Sequence, residues 1–65
     1  MIKYISLVEV IVFHKPEGFE NLRFFRVEYV EEAGYSRVEG CLWLSNNSEA
    51  DKIEEILNTM LIKDL

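Results

Sequence analysis

The segment from Tyr4 to His14 constrains the fold more than any other part of this 65-residue chain. It is rich in Ile, Val and Phe, a composition that predicts a β-strand. Both of its alternating faces are apolar, with Val8 and Val10 on one side and Ile11 on the other. A strand of this kind is normally covered on both sides. The rest of the chain must therefore supply two covering layers or leave one surface for another molecule.

A loop and a second strand are expected next. Pro16 followed by Gly18 is typical of a turn, and proline also removes a backbone donor, which ends strand pairing. The segment from Leu22 to Glu31 then alternates with a period of two, which predicts a strand with Phe25 and Val27 on the same face.

The segment from Tyr35 to Ser45 predicts a third strand. Alternation places Val38 and Leu42 on one face and Cys41 on the other. Because free cysteine is usually buried, we expect Cys41 to be a small apolar core residue rather than a nucleophile. Gly40 inside the strand indicates a β-bulge or a close approach of the backbone.

A C-terminal amphipathic helix is predicted from about Glu49 to Ile62. Ser48, followed by Asp51 three residues later, fits the signature of a helix N-terminus. Apolar residues at helical spacing form one stripe: Ile53, Ile56, Leu57, Met60 and Leu61. The opposite side is polar: Asp51, Glu54, Glu55, Asn58 and Thr59.

Together these elements predict a single α+β domain over residues 1–65, with a three-stranded antiparallel β-meander followed by one C-terminal helix packed on one sheet face. One helix covers one face of such a sheet, so the apolar side chains on the other face remain uncovered. We expect that face to bind a partner or a second copy, most simply in a two-fold homodimer. An alternative is that the Phe19 loop folds over it. The residues predicted for this self-association or partner surface are Tyr4, Val8, Val10, Phe25 and Trp43.

Composition excludes several function classes. The net charge of −5 disfavours nucleic acid and anionic membranes as ligands, because both attract Lys and Arg. Cys41 and His14, the single cysteine and histidine, allow neither an internal disulfide nor a closed four-ligand metal site. No catalytic set or cofactor motif is recognised, so we expect a non-enzymatic protein without cofactor. With no secretion signal or membrane span in the sequence, the expected location is the cytoplasm.

The acidic side of the helix suggests a protein-binding role. Glu49, Asp51, Glu54 and Glu55 are the candidate partner-binding residues on this side. We expect a small acidic protein-binding module that regulates or inhibits a larger protein, such as a basic, nucleic-acid-binding one. A self-associating structural or assembly subunit is the alternative from a different class.

Two short motifs add a third alternative, an antitoxin-like domain. Gly40-Cys41, followed by Ser48-Glu49-Ala50 before the helix, resembles the closing part of HicB-like antitoxins over a minor part of the chain. The chain departs from that pattern in having Ser36-Arg37-Val38-Glu39 where a proline-containing segment is expected, and in the loop after the first strand.

Overall fold

The computed structural model describes residues 1–63. Three strands, β1 (Ile2–Val10), β2 (Arg23–Glu31) and β3 (Ser36–Leu44), precede one helix, α1 (Asn47–Lys63). The strands form one antiparallel sheet in the order β1-β2-β3, and α1 packs on one face of it, mainly against β1. The predicted fold class, a β-meander followed by one C-terminal helix, is therefore confirmed.

The first strand is shorter than predicted, because it ends at Val10 and not at His14. Its pairing with β2 stops where Val10 lies opposite Phe24, next to the first residue of β2. Ile11 and Phe13 therefore have no strand to pair with in this sheet, and Phe13 is 90% exposed. Strand-forming composition extends further along the chain than the available partner does.

A β-bulge in β3 changes which side chains share a face. Gly40 pairs with Val27 while Val38 pairs with Glu28, which leaves Glu39 as the extra residue. The bulge predicted from Gly40 is thus present, but the prediction that Val38 and Leu42 share a face is wrong. An extra residue reverses the alternation, so Val38 lies on the face opposite Leu42.

The two faces of the sheet have different surroundings. Phe25 and Ile5, on the face covered by α1, are buried together with Ala50 of the helix, and they are the only buried side chains among residues 1–61. We call the other side the open face. Its apolar members are Tyr4, Val8, Val10, Phe24, Val30, Val38 and Trp43.

The helix begins at Asn47, before the predicted start near Glu49, and the side of it that faces the sheet is not the predicted one. The backbone N–H of Glu49 donates to Asn46 Oδ1 at 2.9 Å, so Asn46, and not Ser48, caps the helix. Leu57 and Leu61 are partly buried, but Ile56 and Met60 are 58% and 56% exposed. The predicted apolar stripe is therefore only partly in contact with the sheet.

Candidate functional site: the open face, the acidic side chains and the groove

One end of the open face is an aromatic cluster. The ring centroids of Phe24 and Trp43, which are cross-strand neighbours, lie 4.7 Å apart. Phe19 reaches over from the loop and meets Trp43 edge to face, with the centroids 5.2 Å apart. Such aromatic pairs add to the stability that burial alone provides. The loop thus covers Trp43 on this side and leaves the rest of the open face uncovered.

The centre of the open face carries an ion pair. Arg26 Nε donates to Glu28 Oε2 at 2.6 Å, and Ser36 Oγ donates to Glu28 Oε1 at 3.4 Å. Because these charges are already paired, a partner that covers them meets no isolated charge, although desolvation of the pair still opposes binding. This arrangement allows an otherwise apolar surface to dock around a polar centre.

Four of the five residues predicted for the apolar sheet surface lie on the open face. They are Tyr4, Val8, Val10 and Trp43. Phe25 does not belong with them, because it is buried beneath α1 on the covered face. Cys41 was expected in the core, but it is exposed. Its pairing with Arg26 places it on the open face, which α1 does not cover.

Sequence reasoning missed three apolar members of the open face, Phe24, Val30 and Val38. Alternation in β2 could have identified Phe24 and Val30, because both are an odd number of residues from Phe25 and so lie on the other side. Val38 could have been found only by working through the consequence of a bulge at Gly40. It is 54% exposed and lies on β3, one of the two edge strands, where a partner can reach it.

The predicted acidic surface is not a single set of free carboxylates. Glu49 Oε1 accepts from the backbone N–H of Ser45 at 3.1 Å, so it belongs to the helix cap. Glu54 is partly buried, and its Oε2 accepts from the N–H of Leu7 at 2.9 Å. Asp51 and Glu55 are exposed. The structure therefore separates the four acidic residues into two that support the fold and two that face solvent.

The outer edge of β1 is capped by helix side chains. Asn58 Oδ1 accepts from Ile5 N–H, and Asn58 Nδ2 donates to Ile5 C=O, both at 2.8 Å. With Glu54 on Leu7, these bonds take the place of a fourth strand. The sequence placed Glu54 and Asn58 on the solvated side of the helix. That placement is wrong because the exposed edge of β1 supplies polar backbone groups that these side chains satisfy.

A groove lies between α1 and β3, on the covered face. Its volume is about 310 Å³, and it is lined mainly by Val27, Tyr29, Gly40, Leu42, Ile53 and Leu57. The groove exists because α1 packs over β1 more than over β3, so one helix leaves part of the sheet uncovered. Glu39, also in the lining, is paired with Arg37 at 2.7 Å.

Comparison of the chain with family models, with curated proteins and with solved structures gives no match. The only helix within residues 1–63 is neither long nor apolar enough to cross a membrane.

Proposed function

We propose that the protein is a non-enzymatic protein-binding module that docks a partner protein on its open face. The observation that supports this proposal is an apolar surface, including Tyr4, Val8 and Val38, that surrounds the internally paired Arg26 and Glu28. Exposed apolar surface with a polar component is characteristic of protein interfaces. The role is that of a regulator or inhibitor in the cytoplasm, acting by covering a surface of a larger protein.

The open face is a better candidate for partner binding than the acidic side of the helix. Glu49 and Glu54 are engaged with backbone N–H groups, so only Asp51 and Glu55 are available for a basic partner. Exposed ion pairs each contribute only about 0–1 kcal/mol. Two such carboxylates supply little affinity, whereas a residue packed at the centre of an interface can contribute about 2 kcal/mol or more.

The test is quantitative capture of host proteins on immobilised wild-type protein and on matched variants. Tyr4→Arg and Val38→Arg place a charge on the open face, while Tyr35→Arg places the same charge on an exposed tyrosine in the β2–β3 turn. We expect the first two variants to weaken binding at least about tenfold, since losses at packed interface residues exceed about 1.4 kcal/mol. Tyr35→Arg should bind like the wild type.

Salt separates the apolar interface from the acidic one. In 1 M NaCl the screening length between charges is about 3 Å, so a partner that stays bound there is held mainly by apolar contact. A partner that dissociates in salt, ignores Val38→Arg and is lost on Asp51→Lys with Glu55→Lys would contradict the proposal. That outcome would assign binding to the exposed carboxylates of α1 instead.

A further inference from the structure

The groove between α1 and β3 lies beside an exposed apolar ridge on the same helix. Ile56 and Met60, one turn apart, form this ridge. Ile53 lies on the same flank of the helix and also lines the groove, so ridge and groove are continuous. The chain thus presents a protrusion and a depression side by side, both apolar and both on the β3 side of α1.

A ridge next to a groove of the same chemistry is self-complementary. If a two-fold axis passes between them, the ridge of each copy enters the groove of the other, and both surfaces are buried at once. An unrelated partner would have to supply a matching groove and a matching ridge at the same spacing. A second copy of this chain supplies both without further requirements.

The distribution of charge favours the same occupant. Lys52 is exposed one turn before Ile56 and forms no ion pair within the described residues, while Glu39 lies at the β3 side of the groove. Asp51 and Glu55 lie on the opposite flank of α1: around the helix axis, Asp51 is roughly 140–180° and Glu55 roughly 100–140° from the two ridge residues. The two exposed carboxylates of α1 therefore point away from the ridge. The ridge brings Lys52 towards Glu39 of the other copy, a carboxylate whose Oε1 is already paired with Arg37 of its own chain.

We propose that two copies associate through this surface, with Ile56 and Met60 of each copy in the groove of the other and Lys52 of each copy beside Glu39 of its partner. This dimer surface differs from the open face, which the sequence had suggested for self-association. Both open faces remain accessible in such a dimer, so dimer formation and partner binding are independent and can be tested separately.

Sedimentation equilibrium tests the dimer directly. We expect the wild-type protein to show a monomer–dimer equilibrium and Ile56→Glu to shift it to monomer. Asp51→Asn, a one-unit charge change at an exposed position on the opposite flank of α1, should leave the equilibrium unchanged. A wild-type protein that stays monomeric up to about 1 mM overturns the proposal, because its free energy of association is then weaker than about 4 kcal/mol. So does a dimer that persists in Ile56→Glu, which would instead point to the open face or to the unpaired outer edge of β3.

Mixing of charge-reversed variants keeps the proposal testable even if Ile56→Glu unfolds. Lys52→Glu alone and Glu39→Lys alone each create two like-charge contacts in a homodimer and should raise the dimer Kd roughly 2- to 30-fold. An equimolar mixture should restore dimers, because each heterodimer contains one original and one inverted ion pair. If the mixture associates no better than the separate variants, Lys52 does not face Glu39 of a second copy and the proposed geometry is wrong.

Discussion

Replacement of Asn58 tests whether α1 stabilises the sheet by capping the edge of β1. Asn58 makes three hydrogen bonds of 2.8 Å, two with the backbone of Ile5 and one with the carbonyl of Glu54. Asn58→Ala removes all three and leaves the Ile5 N–H and C=O without a partner beside a buried side chain. The fold should therefore lose stability well beyond the effect of shortening one side chain.

The expected loss follows from the number of bonds. Each hydrogen bond contributes about 1 kcal/mol net, and alanine recovers roughly 0.6 kcal/mol through its higher helix propensity. Asn58→Ala should thus lower the free energy of unfolding by about 2 kcal/mol. A domain of this length has a total stability of about 3–10 kcal/mol, so the loss is a large fraction of it.

Asn58→Asp separates hydrogen bonding from side-chain volume. The aspartate has nearly the same shape and can still accept from Ile5 N–H, but its second oxygen faces the carbonyls of Ile5 and Glu54, where Nδ2 donates in the wild type. We expect a loss at least as large as that of Asn58→Ala, since repulsion replaces two bonds. Thr59→Ala, at the neighbouring exposed position, should change stability by less than about 0.5 kcal/mol.

Urea denaturation followed by far-UV circular dichroism gives the free energies, and amide hydrogen exchange locates the change. The Ile5 amide should exchange faster in Asn58→Ala, since it loses its acceptor. The reasoning is refuted if both Asn58 variants lie within about 0.5 kcal/mol of Thr59→Ala and the Ile5 amide keeps its protection.

Two further predictions concern the loops and β3. Gly34 has φ +98°, so Gly34→Ala should lower the free energy of unfolding by about 1–2 kcal/mol. Gly40 has an ordinary φ and free space around a new Cβ, so Gly40→Ala should be neutral or slightly stabilising. Equal urea midpoints for the two variants would contradict this. Hydrogen bonds from the backbone N–H groups of Glu20 and Gly18 lower the pKa of the Glu20 carboxyl. The small contribution of this carboxylate to folding stability is therefore present above its ordinary pKa and is lost as the pH falls through the lowered value. An NMR titration that finds the pKa of Glu20 at or above the ordinary value would refute this prediction.

The order and type of the elements could be predicted because they depend on local patterns. Period-two alternation and helical spacing identified three strands and one helix, and Pro16 and Gly34 marked the breaks between strands. The end of β1 could not be predicted, since it depends on where its partner strand begins and not on its own composition. Pairing is a property of two segments together, and no single segment contains it.

The candidate surfaces were harder to predict because they depend on tertiary placement. Once the bulge shifts the alternation, Val38 leaves the covered face and joins the open one. Which flank of α1 meets the sheet depends on where the helix crosses it, so the sequence pattern treated Glu54 as solvated and Ile56 as core. In the structure, the need of β1 for hydrogen-bond partners brings Glu54 inward and leaves Ile56 outside.

The cap on β1 also sets an order of events during synthesis. Ile5 and Asn58 are 53 residues apart, and the chain is made from the N-terminus. At roughly 5–20 residues per second, translation separates the two residues by about 3–10 s. Throughout that interval the nascent strand has an unprotected edge that another nascent chain could pair with. The edge of β1 is therefore protected only once the last part of α1 has been made. Loss of Asn58 should first cause aggregation between nascent chains on crowded polysomes.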